Sequence, residues 1–386
     1  MKVIASALLF LLLAAGINIV VDPLGIFFAA DLPGVNRYKP EILNYWRTSL
    51  SLRARIFKPE VVALGSSRVL AGLEPADPAF KGAATFNMGL PGATLCDLRD
   101  GFEIARAGGR LKQVIIGLDF FAANARRIGP DCGLREERDH AQRLLLQTLF
   151  SSDTLNASLK TVTKQGRVDP ALWQPSPDGH ARLHPDFALK KGGPRQMFAE
   201  MERIYAKDYY LLPPVCKYEL AVPGGADSLG YLRQLLDAAH ANNIEVRMFF
   251  SPEHARMLGV IAETGLLPQY AAWMQGVLRV NQAAAAAAKR PPFVIAAPYE
   301  RDWLGEALPP LGDSPTRMRW MLDGSHYTPQ AGSTMLARVM SATGEPDVAK
   351  EMALLQTAAE NYFGAHPEER AEIARMVADL RRACKP

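Results

Sequence analysis

Two short stretches of this chain carry residues whose types and spacing can do nucleophilic chemistry. The first, residues 61–68, reads Val-Val-Ala-Leu-Gly-Ser-Ser-Arg; the second, residues 322–327, reads Leu-Asp-Gly-Ser-His-Tyr. A serine hydroxyl is a weak nucleophile until an adjacent base takes its proton. Asp323 and His326 are three residues apart, a spacing that brings both side chains to one face of a helical turn or loop. A buried carboxylate accepting from one imidazole nitrogen fixes the tautomer and leaves the other nitrogen free to accept a serine proton. In chain order, Ser67, Asp323 and His326 supply the three parts of an acyl-transfer triad. The competing reading makes Gly65-Ser66-Ser67 an ordinary loop and Asp323–His326 a helix-capping pair. From spacing alone both stand.

The elements that must position these residues read as a parallel α/β arrangement. Residues 61–64 form a short β-branched run stopped by Gly65, which lets the backbone turn sharply. Further strand segments are expected at 85–88, 113–118, 244–250 and 293–296, with helix-length stretches such as 102–107 and 229–241 between them. Strands alternating with helices imply a mainly parallel sheet. In an open sheet of that kind ligands bind outside the carboxyl ends of the strands, which places Ser66 and Ser67 at the rim of the crevice. Between about residues 122 and 225 the alternation lapses into a proline-rich stretch, read as an insertion forming a lid, a binding surface or a small subdomain. Residues 38–58 read as a helix against the domain, 282–289 as the end of a surface helix, and residues from 345 onward as two amphipathic helices that pack on the domain or on a partner.

The whole chain sets limits on function. Its 386 residues, 48% hydrophobic and 22% charged, describe a globular protein. A net charge of +4, from 44 basic and 40 acidic residues, with no concentrated basic tract, gives no sign of a nucleic-acid partner. Residues 3–21 contain no charge and are long enough to cross a bilayer, and Lys2 ahead of them favours a cytoplasmic N-terminus. A cleaved signal peptide is the alternative, but the apolar run outlasts a typical signal core, so an uncleaved anchor is expected, with the rest of the chain outside the cytoplasm. Cys96, Cys132, Cys216 and Cys384 are scattered and lack metal-type spacing. They read as isolated small hydrophobic residues, although an exported chain can form disulfides. His180, His184 and His254 have no ligand-like company, and no metal or cofactor is expected.

Three blocks together resemble the SGNH (GDSL-type) hydrolase superfamily: Gly65-Ser66-Ser67-Arg68, the 87–94 stretch Asn-Met-Gly-Leu-Pro-Gly-Ala-Thr, and Asp323-Gly324-Ser325-His326. The resemblance covers roughly residues 61–337 outside the insertion. It implies a flavodoxin-like three-layer α/β/α fold, with Ser67 as nucleophile, Ser66 in place of the usual aspartate, and Asp323 and His326 completing the triad. It also implies an oxyanion hole made by the backbone amides of Ser67 and Gly92. The chain departs from the family at Leu118, which stands where the oxyanion asparagine belongs; Asn124 and Asn87 are the candidate replacements, and Asp119 either holds a loop or acts. Arg68, Trp320 and Tyr327 are weaker candidates for substrate contact, with Trp303 nearby, although a structural salt bridge and core packing are their commoner roles.

With its anchor, the chain looks most like the envelope-polymer acyltransfer branches, namely teichoic-acid D-alanylation factors and polysaccharide O-acetylation proteins. That likeness implies a serine acyltransferase or esterase acting on an envelope polysaccharide, beside a membrane-bound O-acyltransferase. The alternatives are an inactive binding or scaffold subunit and a simple carboxylesterase. The organisation expected is an anchor over 1–22, a juxtamembrane segment over 23–58, an SGNH-like domain over 59–345 and C-terminal helices over 346–386.

Overall fold

A computed structural model describes residues 2–129, 132, 138–167, 174–182, 186–310 and 316–384. Five strands form one all-parallel sheet: β1 (Val61–Ser66), β2 (Thr85–Leu90), β3 (Gln113–Leu118), β6 (Glu245–Phe250) and β7 (Val294–Ala296), in the order β2-β1-β3-β6-β7. Two further strands, β4 (Gln174–Pro175) and β5 (Ala181–Arg182), pair as a separate antiparallel ribbon. The five main strands are the five segments expected from sequence. Every residue of β1 and β2 is buried, which explains their continuous rather than alternating apolar pattern.

The sheet order reverses beside β1: β2 lies on one side of it and β3 on the other, with Val61 level with both Thr85 and Gln113. The crevice at such a reversal is where open parallel sheets place their sites. The helices are α1 (Lys2–Val21), α2 (Trp46–Phe57), α3 (Ser67–Gly72), α4 (Leu95–Arg106), α5 (Arg138–Phe150), α6 (Ser152–Lys164), α7 (Phe187–Lys190), α8 (Pro194–Ile204), α9 (Ser228–Ala241), α10 (Ala255–Glu263), α11 (Leu267–Ala288), α12 (Arg301–Leu304), α13 (Pro329–Ser341), α14 (Val348–Ala365) and α15 (Pro367–Arg381). The α4 start is set by a capping box in which Thr94 and Asp97 satisfy each other's backbone N–H groups. Helix α9 packs on α4 and α11, while α13 packs on α3, β6 and β7. The C-terminal helices α14 and α15 both pack on α10 and share the main core.

Helix α1 is long and apolar enough to cross a membrane. The insertion is not one unit. Helices α5 and α6 pack on α1, whereas α7 and α8 pack on each other, and α8 also contacts a seven-residue π-helical turn (Tyr205–Leu211). Pro130, Pro170 and Pro185 of this stretch, with His184, lie outside the described residues.

The cysteine expectation is corrected. Cys96 pairs with Cys132, their Cα atoms 6.0 Å apart, and Cys216 pairs with Cys384 at 5.6 Å. These partners lie 36 and 168 residues apart in sequence, so only the folded chain brings them together.

One close crossing holds the second chemistry-bearing stretch against the first. A Cβ on Gly332 of α13 would fall 1.8 Å from the Gly72 carbonyl oxygen of α3, and one on Gly72 would fall 1.9 Å from the Tyr327 ring. The two helices therefore touch backbone to backbone, with Tyr327 wedged beside them. Gly332→Ala is expected to lower stability by about 1–3 kcal/mol through overpacking, read as a drop in the thermal unfolding midpoint. An unchanged midpoint would show that the crossing has slack.

Candidate active site

Ser67 is the first residue of α3, directly after β1. Its position depends on a turn with no room for side chains: a Cβ on Gly65 would meet Val69 Cγ2 at 2.3 Å, and one on Gly89 of the neighbouring strand would meet the Leu70 N atom at 2.4 Å. Ser66 caps the helix, its hydroxyl accepting from the Arg68 N–H at 3.2 Å. The Ser67 hydroxyl is left facing the loop that precedes α13.

That loop brings the other two groups. Ser67 Oγ lies 2.7 Å from His326 Nε2, and His326 Nδ1 lies 2.7 Å from Asp323 Oδ2. The remaining Asp323 oxygen accepts from the N–H groups of Ser325 and His326, both at 2.8 Å. Burial works against the Asp323 charge, but His326 and these N–H donors outweigh it and hold the carboxyl below its usual range. An ionised Asp323 fixes the Nδ1–H tautomer and leaves Nε2 as the acceptor for the Ser67 proton. The Asp323–His326 pair is thus in hydrogen-bond contact with the Ser67 hydroxyl and is not confined to capping a helix.

Behind Ser67 sits a fully buried ion group. Arg68 has no exposed surface; its Nη1 donates to Asp119 Oδ1 at 2.8 Å and its Nη2 to Glu253. Burial would strip the guanidinium of its charge, but Glu253 and Asp119 outweigh it and push its pKa up. Arg68 is therefore a structural cation that a substrate does not reach, and Asp119 holds it in place. Burial pushes the Glu253 carboxyl up to about 7 despite Arg68.

The two asparagines proposed as oxyanion donors are committed elsewhere. Asn87 Nδ2 donates to the carbonyls of Val69 at 2.8 Å and Leu73 at 2.7 Å, holding the end of α3 to β2. Asn124 Nδ2 donates to the Tyr209 carbonyl at 3.0 Å, while its oxygen accepts from the N–H groups of Arg126 and Glu219. Both are fully buried, as is Leu118 at the end of β3. Gly92 follows β2 in a left-handed conformation, φ +64°. Among the described contacts the Gly92 N–H makes no backbone hydrogen bond.

Two residues missed from sequence shape this turn. Arg127 Nη2 donates to the Gly92 carbonyl at 2.8 Å, and Tyr209 brings its hydroxyl to 3.2 Å from where a Gly92 Cβ would lie. Arg127 stacks over the Tyr209 ring at 4.1 Å, and Tyr209 stacks on Phe121. Both fall in the proline-rich stretch with no periodic pattern, and the π-helical turn that aims Tyr209 has no signature in sequence.

The other candidates are placed as follows. Tyr327 is buried against Gly72, so it packs and does not contact substrate. Trp320 is half-buried, its ring 5.3 Å from that of Trp303, with Arg319 over its face. His180 and His254 are buried and bond to the carbonyls of Ala71 and Glu306. Among the described residues, His366, Glu368 and Glu369 are close enough to share a cation, but Glu369 already accepts from Arg195, Arg256 and Tyr362.

Two pockets touch the site. One, about 190 Å³, is lined by Phe187, Met197, Met201 and Leu322 with the charged Lys191 and Glu200, and reaches Asp323 and His326. The other, about 270 Å³ and polar, is lined by Arg47, Thr94, Asp97, Asp100 and Arg127 together with Gly92. No protein-family model and no curated protein matches the chain.

Glu253 makes folding pH-dependent in a direction set by its raised pKa. From roughly pH 4.5 to 7 the folded chain keeps a proton that the unfolded chain has released, so this group's stabilisation falls by up to about 1.4 kcal/mol per pH unit and then levels off. Glu253→Gln is expected to remove that slope from the variant's stability curve, so that the difference between variant and wild type in denaturant unfolding changes steadily across this range. Parallel curves across this range would refute the assignment. Arg68→Met, which strands two buried carboxylates, is expected to cost about 3–5 kcal/mol in the same measurement.

Proposed function

We propose that this protein is a membrane-anchored serine acyltransferase or esterase of SGNH type, acting on O-acyl groups of an envelope polysaccharide on the extracytoplasmic side. The observation that carries the reading is the continuous hydrogen-bonded chain from Ser67 Oγ through His326 to Asp323. Three supporting features come from different parts of the molecule. The β2-β1-β3-β6-β7 strand order is that of flavodoxin-like doubly wound sheets, and Ser67 lies at its reversal point. The two disulfides suit an oxidising compartment. The apolar helix α1 suits an anchor that leaves the folded part outside the cytoplasm.

In this mechanism His326 Nε2 takes the Ser67 proton as Oγ attacks the acyl carbonyl. The developing oxyanion lies against the N–H groups of Ser67 and Gly92, with the Tyr209 hydroxyl beside the Gly92 turn as a further donor. His326 then returns the proton to the leaving oxygen, giving an acyl-Ser67 ester. A sugar hydroxyl or a water molecule, deprotonated by the same imidazole, attacks that ester and regenerates Ser67. The pocket lined by Phe187, Met197 and Met201 suits an acyl chain, and the polar pocket beside Gly92 suits a sugar. No cofactor or metal enters these steps. A membrane-bound O-acyltransferase is the natural partner for supplying the acyl group.

Leu118 favours a second reading, an inactive subunit that binds polymer or scaffolds its partners, because no side-chain donor stands in the usual asparagine's place. Intact-mass measurement after incubation with 4-nitrophenyl acetate separates the two. The wild type is expected to gain one acetyl group, and Ser67→Ala none; a folded wild type that gains nothing points to the scaffold. Asp323→Asn is expected to slow acetylation roughly 10⁴-fold by fixing the wrong tautomer. Tyr209→Phe is expected to slow it on the order of 100-fold if its hydroxyl is an oxyanion donor. An unchanged rate in that variant would remove Tyr209 from the mechanism.

A further inference from the structure

The helical hairpin α5–α6 packs chiefly on the anchor, and α5 also meets α2, where Leu144, Leu145 and Ala157 share a small apolar cluster with Leu52. It packs on α1, whose buried residues are Ala14, Ala15, Asn18 and Val21. Asn18 is the joint: its Nδ2 donates to the Leu149 carbonyl at the end of α5 at 2.9 Å, and its oxygen accepts from Ser158 Oγ of α6 at 2.8 Å. The α6 residues that are buried, Thr154, Ala157, Ser158 and Thr161, are small, as is usual where helices approach closely within a bilayer.

The outward face of the hairpin carries large apolar residues among polar ones such as Arg143, Gln147 and Lys160. Leu146 and Phe150 on α5, and Leu159 and Val162 on α6, are exposed, Leu159 to 60%. On α6, Leu155, Leu159 and Val162 recur at helical spacing along one stripe, with Asn156, Lys160 and Thr163 on the adjoining one. This is the pattern of a helix lying in a membrane interface.

Length decides where the hairpin lies. The 20 residues of α1 make a helix of about 30 Å, the thickness of the hydrocarbon core. The hairpin covers α1 from Ala14 to Val21, its last 10 Å or so at 1.5 Å per residue. Were the hairpin kept in water, only residues 2–13 would remain to span, about 18 Å of helix. That is too short. A hairpin buried about 5–10 Å at the interface matches the covered length.

We propose that α5–α6 is a membrane-embedded interfacial hairpin that grips the distal end of the anchor and holds the folded domain against the bilayer. The occupant of its apolar face is lipid. The proposal rests on the reading of α1 as a membrane-spanning helix. Held this way, the domain works on substrate within reach of the membrane surface and does not swing freely on a tether. Residues 22–57 reinforce the hold: Asp22 accepts from the N–H groups of Ile26 and Phe28, and Lys39 Nζ donates to the Asp22 carbonyl.

The test uses the full chain in vesicles of phosphatidylethanolamine and phosphatidylglycerol. Its four native cysteines are paired, so a polarity-sensitive fluorophore can be attached at one introduced cysteine: Leu159→Cys or Val162→Cys on the hairpin, Leu11→Cys in the anchor, and Asp237→Cys on α9 as the water-exposed reference. Lipids carrying a nitroxide near the headgroup or near the chain end report depth. The expected result is quenching of the hairpin labels mainly by the shallow nitroxide, of Leu11→Cys mainly by the deep one, and no quenching at Asp237→Cys. Quenching at Leu11→Cys alone would overturn the hairpin while leaving the anchor intact. Hairpin labels that report an apolar setting yet escape lipid quenching would overturn it in favour of a protein neighbour. Loss of quenching at every site would refute the spanning helix, and the hairpin with it.

Discussion

A single buried guanidinium ties the site together. Arg68 follows β1, Asp119 follows β3 and Glu253 lies just beyond β6, so their ion pairs join the carboxyl ends of three adjacent strands. Burying a charge in an apolar core is costly unless it is paired and hydrogen-bonded, so none of the three residues can leave without stranding the others. Each also leads into a part of the site. Ser67 precedes Arg68; Leu118, the last residue of β3, precedes Asp119; and His254, next to Glu253, donates its backbone N–H to the Gly324 carbonyl in the loop that carries Asp323 and His326.

The Ser67–His326 contact is made by backbone packing as much as by side chains. The loop holding His326 is anchored where α13 crosses α3 at Gly332 and Gly72, with Tyr327 filling the space between. The turn that carries Ser67 depends on the same economy of volume at Gly65 and Gly89. Small residues set the distances, and the triad hydrogen bonds follow from them. The Gly92 turn is held differently, by Arg127 and Tyr209 reaching in from the insertion.

The long insertion therefore serves both ends of the molecule. Its α5–α6 part packs on α1, its α7–α8 part lines the pocket beside His326, and its π-helical turn supplies Tyr209. The Cys216–Cys384 disulfide ties the insertion's far end to the C-terminus, next to helices packed on α10. The domain, the α8 and π-helical part of the insertion and the C-terminal helices thus share one core, while α5–α6 packs in a separate cluster with Leu24, Ile26 and Leu52.

What the sequence determined by itself was the part governed by local rules. The five strands were legible because fully buried parallel strands are continuous β-branched and apolar runs, and α1 because an uncharged apolar run of about 20 residues has the length of a membrane-spanning or signal helix. The residues of the Ser67–Asp323–His326 set were legible because their chemistry restricts the residue types and the aspartate–histidine spacing is local. The pairings across long separations were decided only by tertiary structure. Ser67 and His326 are 259 residues apart, and no local preference brings them to 2.7 Å. The cysteines could be counted but not paired. Asn87 and Asn124 had the right chemistry for an oxyanion donor, yet packing spent their amides on backbone carbonyls. Tyr209 and Arg127 gained their places from a turn with no periodic signature. Residue type states what a side chain can do; burial and neighbours decide whether it is free to do it.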